Sequence, residues 1–118
     1  MHEFNEDNFA DVGRMMGGAR GHRFDMLIRS PQTQVVLASL PPGQTAQRRP
    51  ALNRESDHVV YIIEGEALAL VDGNERELLE GNIALIKAGQ EHQVTNVGSS
   101  RLLYLNIHAG SPASKRGS

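Results

Sequence analysis

The sequence predicts an all-β fold, an antiparallel sandwich or barrel, from three observations. Short runs rich in Val, Ile, Leu and Ala recur along residues 24–108, and a Gly, Pro, Asn or Asp turn signal interrupts them roughly every eight to ten residues. Within several runs apolar and polar residues alternate with the period of two that a half-buried strand requires.

Taken in order, residues 1–23 read as an irregular arm. Asn5 can cap a short helix with Glu6 and Asp7 in its first turn, but Gly13, Gly17, Gly18 and Gly21 discourage its continuation. Strands are expected over Phe24–Ser30 and Gln34–Leu40, closed by the turn Pro41-Pro42-Gly43. The polar stretch Gln44–Ser56 has room for one strand crossing a barrel mouth. Further strands are expected at 58–64 and 67–72 around Gly65, at 75–80 and 83–87 around Gly81, and at 91–96 and 101–108 around Gly98-Ser99-Ser100. The final residues, AGSPASKRGS, are small and polar and read as a flexible tail over 109–118.

Length and charge narrow the function classes. A chain of 118 residues suits one domain and can bury roughly two-thirds of its unfolded surface, so neither metal nor disulfide is required for folding. Cysteine is absent, which removes thiolate chemistry and fits a cytoplasmic protein. Twelve basic and fourteen acidic residues give a net charge of −2, a poor match to nucleic acid. The apolar runs are far shorter than the roughly 20 residues of a membrane span, and Met1–Ala10 carries Glu3, Glu6 and Asp7 in place of a basic leader segment. A soluble, unprocessed protein is the expectation. No nucleophile elbow, Walker-type phosphate loop or dinucleotide fingerprint occurs.

Two strand-turn-strand units carry most of the remaining information. The first is HVVYIIEGEALALVDG, His58 to Gly73; the second is GNIALIKAGQEHQVTN, Gly81 to Asn96. Together they resemble the paired motifs of the cupin superfamily over roughly residues 33–108. The second cupin motif runs glycine, five residues, proline, one residue, glycine, two residues, histidine, three residues, asparagine. Gly81, Gly89, His92 and Asn96 match it, and Lys87 replaces the proline. In the first motif Gly43 and Gly65 match the flanking glycines, but His58 stands at the glutamate position. The stretch that should hold the His-x-His pair, Ala51–Arg54, contains no histidine.

The resemblance implies a cupin-type double-stranded β-helix, an antiparallel jelly-roll barrel over residues 24–108, with an irregular N-terminal arm. It also implies a homodimer in which sheet edges or N-terminal segments pair, and a free sheet edge gives a physical reason for such pairing. It places His58 and His92 inside the barrel. Two neutral imidazoles facing one cavity can hold a divalent cation such as iron, manganese, nickel or zinc, but catalytic sites supply three protein ligands. Asp57 and Glu91 each neighbour a histidine and therefore point to the opposite face of their strands, and Glu55 has the same wrong parity. Ser56 and Arg54 share the parity of His58, and a guanidinium there favours an anion over a metal. His108 shares the parity of Tyr104, opposite an apolar face of Leu103, Leu105 and Ile107, and is not assigned as a ligand.

The expected function is therefore a small-molecule-binding cupin whose family metal site is largely lost. A polar or anionic ligand would be held by Gln47, Arg49, Arg54, His58 and His92. One alternative is a metal-dependent cupin enzyme of isomerase, lyase or dioxygenase type, with His58 and His92 as metal ligands. Another is a structural or partner-binding module, in which the interior histidines are hydrogen-bonded core and the arginines a solvated loop.

Overall fold

The computed structural model describes residues 8–47, 51–52 and 56–110. Among the described residues, one short helix precedes nine strands. Helix α1, Val12–Gly18, is capped by Asp11, whose carboxylate accepts a hydrogen bond from Arg14 N at 3.1 Å. The expected cap, Asn5, lies outside the described residues. The helix runs through Gly13 and Gly17, which is possible because tertiary contacts hold it. Arg101 donates from Nη1 to Met16 O (3.0 Å) and Ala19 O (2.7 Å), while its Nε reaches Glu64 Oε2 at 2.9 Å. A seven-residue helix would not persist alone.

The strands are β1 (Arg23–Arg29), β2 (Thr33–Leu40), β3 (Ala51–Leu52), β4 (Asp57–Glu64), β5 (Glu66–Val71), β6 (Asn74–Leu79), β7 (Ile83–Ile86), β8 (Glu91–Asn96) and β9 (Leu102–Ala109). They form two antiparallel sheets, in the orders β1-β2-β9-β4-β7 and β3-β8-β5-β6. This is the jelly-roll arrangement expected from the sequence. β5 and β6 close through Asp72 and Gly73, both at positive φ, a two-residue turn whose twist matches that of its strands. Gly65, between β4 and β5, has φ +97°, and a Cβ there would lie 2.6 Å from Arg101 O. Only glycine fits that crossing.

The core lies between the sheets. Val60 and Ile62 of β4, Ala67 and Ala69 of β5, Val94 of β8 and Leu102 and Tyr104 of β9 pack there. A second apolar layer covers the outside of the five-stranded sheet, where Ala19 packs on Leu37 and Leu103 beside Met16, Leu27 and Leu105. β9 is thus buried on both faces, which is unusual for an antiparallel strand and has a direct consequence for the site.

Candidate functional site

Three histidines meet at one end of the barrel. His58 lies on β4 and His92 on β8, each in an alternating strand whose buried residues face inward; they are 5% and 4% exposed. His108 on β9 stands directly opposite His58 in register. The His58 and His92 ring centroids are 5.0 Å apart at an interplanar angle of 72°, and those of His58 and His108 are 3.9 Å apart at 34°.

His108 corrects the sequence reading. The parity assignment with Tyr104 was sound, but Tyr104 is 1% exposed in the inter-sheet core, so that face is the interior. Leu103 and Leu105 belong to the outer layer under α1. Asn106, between Tyr104 and His108 in the same alternation, was missed as well, and its Oδ1 is buried without a hydrogen-bond partner among the described residues. The signal available in the sequence was the pair Asn106-x-His108, two polar residues in step on one strand.

Electrostatics follow from this crowding. Burial, then the neighbouring His108 and His92 rings, push the His58 pKa down to about 4 from 6.5, against a smaller opposing pull from Asp57. Burial, then His92, also lower the pKa of His108. Both rings are neutral at pH 7. His92 Nδ1 is buried without a hydrogen-bond partner among the described residues.

The remaining expected site residues separate. Gln47 comes alongside β8 because the chain from Gly43 onward pairs with it, through Ala46 N to Val94 O at 2.8 Å and Asn96 N to Gln44 O at 2.9 Å. Its Oε1 accepts from Val94 N at 3.1 Å, which leaves its amide NH2 as the group that could donate to a ligand. Arg49 and Arg54 lie outside the described residues. Of the neighbouring acids, Asp57 Oδ1 accepts from Ala88 N at 2.8 Å, Glu91 is exposed, and Glu55 lies outside the described residues. Asn96, the last residue of the second motif, has a structural task. It donates to Leu40 O and Ser100 O and accepts from Gly98 N, at 2.8, 2.9 and 2.9 Å, pinning the turn after β8.

The family description "Cupin domain" matches residues 36–108. The chain belongs to the cupin family. Among solved structures this cupin is similar to TT1209 from Thermus thermophilus, with 29% identity, 86% of this chain and 96% of that one covered, and a TM-score of 0.76. It also resembles BH2720 from Bacillus halodurans in fold, at 22% identity over 86% and 80% of the two chains and a TM-score of 0.77. A sugar phosphate isomerase of the cupin superfamily, SPO2919 from Silicibacter pomeroyi, is 28% identical over 69% of this chain and 52% of that one, with a TM-score of 0.61. No curated protein matches the chain.

Cupins often bind a metal, and the histidines here meet only part of what one requires. Metal–nitrogen bonds of about 2.0–2.1 Å in tetrahedral geometry separate two imidazole centroids by about 5 Å, and His58 with His92 meets this spacing. His108 does not, because it stacks over the face of His58, whereas the donor lone pairs lie in the ring planes. Among the described residues, no group of three His, Cys, Asp or Glu side chains is disposed to hold a metal ion. The family's set of three histidines and a glutamate is not assembled among the described residues. The described helix is also too short and too polar to cross a membrane.

Proposed function

We propose that this cupin binds a small polar or anionic molecule at the end of its barrel where His58, His92 and His108 meet, without the metal that many cupins use. The observation that carries the reading is His92 Nδ1, fully buried and lacking a hydrogen-bond partner among the described residues, beside two imidazoles held neutral. Buried polar atoms of this kind are normally satisfied, and a bound ligand satisfies them. Asn106 Oδ1 on the neighbouring strand adds an acceptor, and the Gln47 amide a donor. Arg49 and Arg54 complete the proposed set and would supply the positive charge if the ligand is an anion. The sugar phosphate isomerase among the structural relatives makes hydroxylated and phosphorylated molecules the first to test.

Thermal unfolding with a panel of sugar phosphates and sugar acids tests this. A ligand present at a hundredfold its Kd stabilises the native state by about 2.7 kcal/mol, and His92→Ala should abolish the gain. A second reading, the metal-dependent enzyme, draws on one observation, the 5.0 Å spacing of His58 and His92. Elemental analysis of chelator-free protein decides between the two: near-stoichiometric transition metal replaces the first reading with the second. If neither ligand nor metal binds, and His58→Ala with His92→Ala leaves partner association intact, the interaction-module reading stands.

The proposal includes a homodimer built on β1. That strand ends its sheet, and Phe24 and Met26 on it are both 48% exposed, an arrangement that invites pairing with a second copy. Sedimentation of Met26→Lys protein at monomer mass, against a dimer for the natural chain, is the expected result.

A further inference from the structure

The two sheets part along one side of the barrel. β7 ends one sheet and β6 ends the other, and among the described residues neither has a strand beyond it. Between them runs a groove of about 350 Å³, within the size range of small-ligand sites. Its floor is the protein core itself: Ala69 and Leu78 belong to the inter-sheet cluster, and Ala84 packs against it. Ile83 and Leu85, 66% and 54% exposed, form one lip.

Two cations join this apolar lining. Arg76, which pairs with Ala69 across β5 and β6, and Lys87, in the turn after β7, both line the groove. Neither is in an ion pair among the described residues. Among the described residues no carboxylate lines the groove; Asp72, in the β5–β6 turn, accepts from Glu91 N at 2.9 Å and Gln90 Nε2 at 3.2 Å. Glu75 and Glu77 alternate with Arg76 on β6 and so point to the opposite face. Lys87 stands where the cupin motif has a proline, so this chain's departure from the pattern is what supplies the second cation.

We propose that the groove binds an amphipathic monocarboxylate, an aliphatic acid of medium chain length. The hydrocarbon covers Ala69, Leu78 and Ala84, and the carboxylate lies between Arg76 and Lys87. Both halves of the ligand are required by the lining. A fully polar anion would leave the apolar floor wet, and a neutral hydrocarbon would leave two cations without a counter-charge. The inference is independent of the histidine site, which contributes no side chain to this groove.

Octanoate is the probe, octanol its neutral control, and methyl-resolved NMR of the full chain the readout. Octanoate should produce saturable shifts at Ala69, Ala84, Leu78 and Leu85. Arg76→Glu and Lys87→Glu, both at exposed positions, should each weaken octanoate by about tenfold, while octanol changes less than about twofold. His92→Ala should leave octanoate affinity unaltered, which separates this site from the barrel mouth. Octanol binding as tightly as octanoate would overturn the proposal. So would octanoate shifts confined to the histidine end, or groove methyls that respond to protein concentration and not to octanoate.

Discussion

Acidification should weaken this fold through His58, and the effect can be isolated. In the native state its pKa is about 4, against 6.5 for a free ring. Above pH 6.5 both folded and unfolded chains carry the neutral ring, and the group is indifferent to pH. Below 6.5 the unfolded chain takes up a proton that the native site refuses, so stability falls with each pH unit until about 4, where the native ring also titrates. The shift of about 2.5 pH units corresponds to about 3 kcal/mol, a large share of a typical domain's stability of about 5–15 kcal/mol. The native protein and His58→Gln would be unfolded in urea, with chelator present, at steps from about pH 7 to about pH 4. Carboxylates such as Glu64, whose pKa is lowered by its hydrogen bond from Arg101, begin to lose their contribution only as the pH falls past the free value of 4.5, and they do so in both proteins and cancel in the difference. The expected difference grows to about 3 kcal/mol at the acid end. Parallel pH profiles for the two proteins would refute the placement of a neutral, desolvated His58 in the barrel.

Two further substitutions probe the motif residues that build the barrel. Asn96→Ala removes three hydrogen bonds and leaves Leu40 O, Ser100 O and Gly98 N to find new partners, so a loss of about 3 kcal/mol or more is expected in urea denaturation. Gly65→Ala and Gly73→Ala form a matched pair: both have positive φ, but only at Gly65 does a Cβ meet backbone, at 2.6 Å from Arg101 O. Gly73→Ala should cost about 1 kcal/mol and Gly65→Ala at least about twice that, read from the two unfolding midpoints.

The architecture was legible because turn chemistry and alternation are local. Asp72-Gly73 dictates a tight hairpin whatever surrounds it, and the buried sites of β4 and β8 fall at every second residue. For the same reason His58 and His92 could be assigned to one face of their strands, and Asp57 and Glu91 to the other. Nothing local identified the cap at Asp11. α1 exists because Arg101, far away in sequence, binds the carbonyls of Met16 and Ala19.

His108 shows where parity stops being informative. Alternation states which residues share a face, and it states which face is the core only when one side of the strand is polar. On β9 both sides are apolar at the start, Leu103 and Leu105 outward, Leu102 and Tyr104 inward, because α1 and its flanking residues cover what would otherwise be a solvent face. Choosing the longer row of aliphatics as the core inverted the strand. The residue that breaks the tie is Tyr104: its pKa is pushed upward by burial alone, and that burial lies between the sheets. With Tyr104 inside, Asn106 and His108 follow it inside at steps of two. The third imidazole therefore reaches the site through the pairing of β9 with β2 and β4, which sets Tyr104, Asn106 and His108 on one face, while the residues around α1 cover the other, and β9 read by itself contains neither fact.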